Sequence, residues 1–391
     1  MSGPEPVNLA YPLRQLYCYL TEGCNLRCRH CWIVPEEDDT PRRSRAMLDP
    51  ELFHFVVKQA KPLGLTGVKL TGGEPFLHPR IEDFLAIIHQ EGLRLVVETN
   101  GVLLTPELAR RVAAGKHPHI SVSLDGADAE THEWVRQVPG SFKAALQGLG
   151  YLVEAGLRPQ IIFCLLRQNY QQLEAVVRLA QELGAGSVKI NLIQPSPRGD
   201  RLNEEGETLS VPEIVALGRW VELELAPQAS IPLFFHHPPA FRPLSRMWQK
   251  NGWDCSVCSI RSILGLLADG SYALCGIGEN LPEMVFGHAS REPLERVWQE
   301  HPVLREIREG LPERLEGICG DCLHKGGCLG SCLAANYYQE RHLWAPFWFC
   351  LKAAEADLFP PTRRRSSFTK PGVNPETGKN LAKPGNLSMT V

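Results

Sequence analysis

The stretch QLYCYLTEGCNLRCRHCW, residues 15–32, decides the fold and points to the chemistry of this chain. Its first six residues are typical of a buried strand, and Cys24, Cys28 and Cys31 follow with three and then two residues between them. A [4Fe-4S] cluster takes one thiolate per iron, so three ligands on one loop leave the fourth iron open to a ligand that is not protein. A structural zinc site needs four closed ligands. The spacing predicts an incomplete cluster, with zinc bound through His30 or a distant residue, or merely buried thiols, as the alternatives.

The composition is that of a folded intracellular enzyme. The chain has 391 residues, of which 43% are hydrophobic, enough for one large or two ordinary domains. A net charge of -3 predicts no nucleic-acid partner, and no apolar stretch is long enough to span a membrane. Thirteen cysteines at short spacings favour metal or cluster ligands in a reducing compartment over disulfides. We therefore expect a cytoplasmic protein.

Six apolar runs alternate with amphipathic helical stretches in the first half of the chain. The predicted strands are LYCYLT (16–21), GVKLTGG (67–73), LRLVVETN (93–100), HISVSLDG (119–126), RPQIIFCLL (158–166) and SVKINLIQ (187–194). Such strand–helix units imply a parallel sheet with right-handed crossovers. The pattern alone does not distinguish a doubly wound sheet from a barrel. In both folds the functional residues collect at the carboxyl ends of the strands.

Glycines and polar residues lie at those predicted strand ends. Gly72, Gly73 and Glu74 begin a GGEP run, where glycine would allow close backbone approach, although a plain turn is the alternative. Further polar candidates follow the next strands: Thr99, Asn100, Ser121, Ser123, Asp125 and Arg136. Each could instead be a satisfied polar group. We select Ser123, Asp125 and Arg136 as binding residues.

The remaining ten cysteines divide into two groups. Cys18 and Cys164 lie inside predicted strands and are interpreted as buried structural residues. The other eight are Cys255, Cys258, Cys275, Cys319, Cys322, Cys328, Cys332 and Cys350. Eight thiolates make two complete four-ligand sets for iron–sulfur clusters. Two structural zinc sites are the alternative, because C-x-x-C pairs also bind zinc.

Taken together, the cysteine loop, the GGEP run and the C-terminal cysteines resemble those of radical S-adenosylmethionine (SAM) enzymes with a SPASM domain. The resemblance implies an α/β fold, a partial (β/α)6 TIM-like radical SAM barrel with a C-terminal cysteine-rich SPASM domain. The expected divisions are a lead-in (1–15), the barrel (16–225), a connecting segment (226–254), the SPASM domain (255–355) and a disordered tail (356–391).

The same resemblance implies how the cofactors are held. The open iron of the cluster on Cys24, Cys28 and Cys31 would bind SAM, with contacts from Gly72, Gly73, Glu74, Ser123, Asp125 and Arg136, and with His30 where the family usually has an aromatic ring. Two auxiliary [4Fe-4S] clusters are implied, one on Cys255, Cys258, Cys275 and Cys332, the other on Cys319, Cys322, Cys328 and Cys350. The chain would then carry three clusters. We expect the SPASM region to have little core of its own without them.

The implied reaction is reductive cleavage of SAM to methionine and a 5'-deoxyadenosyl radical, which takes a hydrogen atom from the substrate. Most proteins with this domain pair modify ribosomally synthesised precursor peptides, so we expect cross-link formation or backbone excision at a tyrosine-containing site, as in the spliceases. Residues 1–15 are too few for a leader-binding domain, so a separate leader-binding protein is expected. Flavodoxin or ferredoxin would be the reductant.

Two other functions stay open at this point. One is the maturation of a larger protein or a cofactor precursor. The sulfatase maturases, which are of this kind, carry an aspartate directly after the cysteine equivalent to Cys275, where this chain has Gly276. That departure removes the proposed base, although Glu279 is near enough in sequence to replace it. A function of another class, a noncatalytic iron–sulfur scaffold or electron carrier, would use the same cysteines without cleaving SAM.

Overall fold

Six parallel strands form the centre of the fold, one for each apolar run of the sequence. The structure is a computed structural model that describes residues 10–33, 46–247, 258–276 and 280–365. The six strands are β1 (Gln15–Tyr19), β2 (Gly67–Thr71), β3 (Arg94–Thr99), β4 (Lys116–Ser123), β5 (Gln160–Leu165) and β6 (Ser187–Leu192). All six predicted strands are therefore confirmed.

The sheet is open and is extended at both edges. Its order in the described residues is β10-β9-β8-β1-β2-β3-β4-β5-β6-β7. The added strands are β7 (Leu233–Phe235), β8 (Ile263–Leu266), β9 (Ser271–Ala273) and β10 (Val285–His288). Because β1 pairs with β8 and β2, the described strands do not close between β1 and β6. The predicted fold class, a partial barrel of six β/α units with a C-terminal cysteine-rich region, is confirmed.

Apolar and polar side chains alternate along the strands. Residues that belong to the main core and are almost fully buried include Leu16, Leu70, Val97, Phe163 and Ile190. Successive strand residues face opposite sides of a sheet. The half-buried polar residues between them therefore face the interior of the open barrel, and we call four of these the floor layer: Tyr17, Lys69, Glu98 and Lys189.

The outer face of the sheet is covered by helices that connect the strands. They are α1 (Pro50–Ala60), α2 (Ile81–Gln90), α3 (Pro106–Ala113), α4 (Ala129–Arg136), α5 (Ser141–Glu154), α6 (Leu173–Glu182), α7 (Pro197–Glu204) and α8 (Val211–Trp220). Asp49, Thr105 and Asp128 begin α1, α3 and α4 by accepting backbone hydrogen bonds with their side chains, as N-caps do. Along the described ranges, no helix is both long and apolar enough to cross a membrane.

Short helices make up the rest of the described chain. They are α9 (Ala226–Gln228), α10 (Leu244–Met247), α11 (Leu294–Glu300), α12 (Pro302–Gly310), α13 (Gly317–Asp321), α14 (Lys325–Cys328), α15 (Leu333–Glu340) and α16 (Trp348–Glu355). Trp298 and Phe349 are buried in the same core cluster as the barrel, and Trp298 Nε1 donates to the Tyr11 carbonyl at 2.9 Å. This region therefore shares the core of the barrel, and its expected dependence on the clusters stays a prediction. The last 26 positions of the expected tail, 366–391, lie outside the described residues.

Candidate active site

The first three cysteines lie on the loop that follows the carboxyl end of β1. Cys24, Cys28 and Cys31 are all free thiols, and Cys28 is buried. The backbone N–H groups of Arg27 and Arg29 donate to carbonyl groups of α4 at 3.2 and 3.0 Å, which fixes the loop against that helix. Burial raises the pKa of Cys24 to about 12. Bound iron would supply the positive charge that these buried thiolates require.

The GGE run packs directly on this loop. The N–H of Gly73 donates to the Thr21 carbonyl at 2.7 Å, and the N–H of Glu74 donates to the Gly23 carbonyl at 2.9 Å. A Cβ atom at position 73 would overlap the Gly23 carbonyl group. Gly72 has a φ of +116°, which also favours glycine. The two backbones therefore meet at a distance that only glycine allows, and they form a cradle beside the thiols.

The Glu74 side chain joins the ends of two strands. Its carboxylate accepts hydrogen bonds from the Phe76 N–H at 3.1 Å, the Thr99 hydroxyl at 2.7 Å and the Asn100 N–H at 2.8 Å. Burial nevertheless raises the pKa of Glu74 to about 7. Asn100 then donates through Nδ2 to Asn25 Oδ1 at 2.8 Å. Glu74 thus fixes the shape of the loop, and the contact with SAM that the resemblance implies for it stays a prediction.

Asp125 and Arg136 form a buried ion pair behind the cluster loop. Arg136 Nη2 lies 2.7 Å from Asp125 Oδ2, and Arg136 Nη1 donates to the Cys28 thiol at 3.4 Å. Burial disfavours the Arg136 charge, but Asp125 and then Cys28 outweigh it and raise its pKa. Ser123 lies half-buried at the end of β4. In the structure Arg136 pairs with Asp125, a residue of the protein itself, so the contact between Arg136 and SAM remains a prediction.

His30 and Arg198 complete the surroundings of the loop. His30 Nδ1 is buried without a hydrogen-bond partner among the described residues, and burial lowers the pKa of His30 to about 4. A neutral ring with an unsatisfied nitrogen fits a site for a polar ligand. Arg198, at the start of α7, donates to the Cys28 carbonyl at 3.0 Å. The sequence analysis did not select Arg198, because it lies four residues beyond the predicted strand 187–194, in a stretch rich in proline, glycine and polar residues.

Four C-terminal cysteines line one small cavity. They are Cys319, Cys322, Cys328 and Cys350, the set that the resemblance assigns to one auxiliary cluster. A hydrogen bond with the Cys319 thiol raises the pKa of Cys350, and burial followed by Cys319 raises the pKa of Cys328 to about 12. No group of three or more His, Cys, Asp or Glu side chains in the described ranges is arranged tightly enough to be recognised as a metal-ion site. The grouping therefore rests on the shared cavity and on the mutual influence of the thiols.

The other auxiliary set is only partly described, because Cys255 lies outside the described residues. Burial, followed by the neighbouring Cys332 and Cys275, raises the pKa of Cys258, so these three thiols lie close together. They come from three separate segments: Cys258 precedes β8, Cys275 follows β9 and Cys332 directly precedes α15. Four buried or half-buried free thiols in one set and three in the other fit the donor chemistry of iron–sulfur clusters.

The residue after Cys275 is held against the barrel. The N–H of Gly276 donates to the Tyr19 hydroxyl at 2.7 Å, and a Cβ atom at position 276 would overlap the Tyr19 ring. Tyr19 also packs edge-on against Trp32, which follows the cluster loop, with ring centroids 6.4 Å apart. Sequence reasoning missed Tyr19, since its hydroxyl is carried by an ordinary strand residue. Glu279 lies outside the described residues.

Comparison with known families agrees with this site. A family described as the radical SAM superfamily matches residues 18–180, and the SPASM family, described as an iron–sulfur cluster-binding domain, matches residues 255–323. The chain is 31% identical over 329 residues to the AdoMet-dependent heme synthase of Methanosarcina barkeri, covering 81% of this chain and 90% of that protein. It is 27% identical over 376 residues to the mycofactocin maturase MftC of Mycobacterium tuberculosis H37Rv, covering 95% and 90%.

Solved structures share the fold at lower identity. Streptococcus suis SuiB bound to S-adenosylmethionine aligns with a TM-score of 0.68 and 18% identity over 88% of this chain and 78% of that one. Native anSMEcpe with bound AdoMet aligns with a TM-score of 0.66 and 15% identity, covering 87% and 95%. The chain therefore belongs to the radical SAM superfamily, as an enzyme that binds SAM and iron–sulfur clusters and carries a C-terminal SPASM domain.

Proposed function

We propose that this enzyme modifies a ribosomally synthesised precursor peptide. The bound cofactors would supply reductive cleavage of SAM to methionine and a 5'-deoxyadenosyl radical that takes a hydrogen atom from the peptide. Two similarities support a peptide substrate. The mycofactocin maturase matches 95% of the chain, and SuiB, which shares the fold, has been solved with its precursor peptide SuiA.

The observation that carries this proposal is an open groove at the rim of the barrel. It has a volume of about 350 Å³ and lies between the carboxyl ends of β5 and β6, α7, α8 and the C-terminal helices. The residues that line it include Leu165, Leu192, Gln194, Asp200, Asn203, Gln339, Trp348 and Lys352. We call it the rim groove. A polypeptide needs such a surface beyond the radical site, whereas a compact substrate does not.

The chemistry of the rim groove suits a peptide. Gln194, Asn203 and Gln339 each carry an amide, the group that a peptide bond also presents. Thr208 donates to Asn203 Oδ1 at 2.9 Å, which leaves the Asn203 amide N–H groups for a ligand. Trp348 is held in place by a hydrogen bond from its Nε1 to Gln194 Oε1 at 3.2 Å, and its ring offers an apolar surface. Helix α7 carries Asn203 and also Arg198, which contacts the cluster loop. One helix therefore contacts both the rim groove and the cluster loop.

Cofactor contacts in this proposal follow the predicted sets. The first cluster is held by Cys24, Cys28 and Cys31, and SAM is held by Gly72, Gly73, Glu74, Ser123, Asp125, Arg136 and His30. Auxiliary clusters on Cys255, Cys258, Cys275 and Cys332, and on Cys319, Cys322, Cys328 and Cys350, bring the total to three. The buried Asp125–Arg136 pair contacts the cluster loop through Cys28, and the Gly73 N–H donates to the Thr21 carbonyl just before this loop. Together these groups orient SAM and exclude water.

The proposal extends to the location and partners of the enzyme. We infer a cytoplasmic enzyme with the domain limits 16–225 for the barrel and 255–355 for the SPASM domain. A separate leader-binding protein would deliver the peptide, and flavodoxin or ferredoxin would reduce the cluster. The modification would be a cross-link or an excision of backbone at a tyrosine-containing site.

A second candidate substrate is a porphyrin. It is favoured by the 31% identity to the AdoMet-dependent heme synthase, which covers 90% of that protein. A porphyrin contains no peptide groups, so it would not require the amide side chains of the rim groove. The two candidates therefore differ in whether the groove contributes to substrate affinity.

Anaerobic co-expression with the short reading frames encoded beside the gene tests the proposal. We expect the mass of one peptide to fall by two hydrogens for a cross-link, or by a residue fragment for an excision. The purified enzyme is incubated in parallel with iron coproporphyrin III. A change in the porphyrin, with every peptide left unchanged, would replace the peptide proposal with the second candidate.

Variants in the rim groove provide a sharper test. Replacing Asn203 and Gln339 by Ala removes two hydrogen-bonding groups worth about 0.5–1.5 kcal/mol each, so KM for the peptide should rise about 5- to 150-fold. SAM cleavage without peptide should be unchanged. Gln228→Ala, at an exposed amide in α9 that does not line the rim groove, is the matched control. An unchanged KM in the double variant would show that the groove does not bind substrate.

A further inference from the structure

The floor layer of the barrel interior contains charged groups that are not among the predicted SAM contacts. Lys69 Nζ lies 2.7 Å from Glu98 Oε1, and the two side chains are 17% and 31% exposed. The same ammonium lies 4.7 Å from the centre of the Tyr17 ring. Lys69 and Glu98 thus form a local pair on β2 and β3, held over an aromatic face.

Lys189 stands apart from this pair on β6. Among the described residues, no carboxylate lies within ion-pair distance of its Nζ. Burial acts to raise the pKa of Glu98, but Lys69 and then Lys189 outweigh it and lower that pKa, so both ammonium groups act on one carboxylate. His119 adds no compensating charge, because burial and then Arg94 lower its pKa. The layer therefore has positive charge in excess, on the side of Lys189.

The thiols of the neighbouring auxiliary set do not remove this excess. Cys275 acts on Lys69, and Cys258 acts on Tyr17, so their influence falls on the β1–β2 side of the interior. On the β6 side, Cys164 is affected by Lys189, but burial raises the pKa of that thiol and keeps it neutral. Within the described part of the chain, the charge of Lys189 is therefore not neutralised by an ion pair and is open to another group.

The neighbours of Lys189 on the sheet are apolar. Register places Ile162 of β5 on one side and Phe234 of β7 on the other, and Phe234 is half-buried. An ammonium group between an aliphatic and an aromatic side chain matches a ligand that carries a carboxylate beside an apolar group. We propose that Lys189, with Ile162 and Phe234, anchors such a carboxylate of the substrate.

The position of this anchor suits the reaction. Lys189 lies three residues before the end of β6, which is about 10 Å along a strand at about 3.3 Å per residue. A substrate held there extends through the interior toward the strand ends, where the cluster loop lies. The inference rests on the proposed radical reaction in the barrel, and it adds the chemical class of group that the substrate must carry. A peptide carboxylate and a porphyrin propionate share this chemistry.

Binding of a small probe to the cluster-loaded enzyme with SAM tests the anchor directly. The probe is 3-phenylpropionate, and its amide serves as the uncharged comparison, both followed by ligand-observed NMR. We expect the carboxylate to bind at least about tenfold more tightly than the amide, as charge-assisted contacts do. Lys189→Gln should abolish this difference, and Lys58→Gln, on the exposed face of α1, should not.

Several outcomes overturn the inference: no binding of the carboxylate, equal binding of the amide, or a preference that survives Lys189→Gln. Iron content and SAM affinity of the Lys189→Gln protein are measured as well, so that a folding defect is not mistaken for loss of the anchor. Displacement of the probe then shows whether the carboxylate comes from a peptide or from a porphyrin. Three competitors are compared: the precursor peptide identified by co-expression as a free acid, the same peptide with an amidated C-terminus, and iron coproporphyrin III. A precursor that is processed normally while the probe fails to bind would leave the proposed function standing and remove only the anchor.

Discussion

The contact between Gly276 and Tyr19 makes a prediction that separates this enzyme from the sulfatase maturases. Position 276 follows Cys275, and in those enzymes an aspartate occupies it. Here a Cβ atom would overlap the Tyr19 ring, and the Gly276 N–H donates to the Tyr19 hydroxyl at 2.7 Å. Gly276→Ala should therefore push the ring aside, break the hydrogen bond and disturb Cys275.

The expected cost follows from these two contacts. Inserting a methyl group into a packed site costs about 1–3 kcal/mol, and losing one hydrogen bond costs about 1 kcal/mol. The sum is about 2–4 kcal/mol. An unfolding entropy of about 2.1 cal/mol/K per residue gives about 0.8 kcal/mol/K for a chain of 391 residues, so Tm should fall by about 2–5 °C.

Anaerobic calorimetry on the cluster-loaded protein measures this change, and iron analysis reports on the auxiliary cluster. Gly150→Ala is the matched control, because no atom lies within 4 Å of the added Cβ and the residue is inside α5. Alanine should stabilise that helix by about 1 kcal/mol. If Gly276→Ala kept the wild-type Tm and iron content, the packing of Tyr19 against the auxiliary loop would be refuted, and an acid at 276 would be sterically allowed.

Two further substitutions examine the cofactor sites. Glu74→Gln leaves one oxygen to serve three donors, so SAM affinity in equilibrium dialysis should fall about tenfold for a loss of about 1–2 kcal/mol. Exposed Glu82→Gln should have no effect, and equal affinity in both variants would contradict the role of Glu74. Cys350→Ser should remove the iron of one cluster, about four atoms per chain, whereas Cys18→Ala in the apolar core should retain all of it. Full iron in the Cys350 variant would exclude this cysteine from the four-ligand set.

The sequence was a good guide to the fold and to the parts of the site that motifs carry. Alternating apolar runs gave all six central strands, because burial against the helices imposes the period of two on each strand. The same rule gave no reason to select Lys69 and Lys189, because a polar residue between two apolar ones is expected in any strand of this kind. Their meaning depends on which strands are neighbours and on which carboxylates are near.

Sequence patterns said less about how the C-terminal half is stabilised. We expected this region to have little core of its own without its clusters. In the structure β8 pairs with β1, and Trp298 packs into the core of the barrel, so the half is stabilised by a surface that the local sequence does not contain. Contacts across hundreds of residues are invisible to local patterns.

The sequence by itself determined the kind of chemistry: thiolates at fixed spacing on one loop, glycines that allow a close backbone, and enough further cysteines for two cluster sets. These features are local, and covalent spacing fixes them before folding. Only the tertiary structure decided that Arg136 is held by Asp125, that Tyr19 occupies the space beside Gly276, and that no carboxylate of the described ranges lies within ion-pair distance of Lys189. Those properties arise when strands and loops distant in the chain are packed together, because charge pairing and steric exclusion act through space.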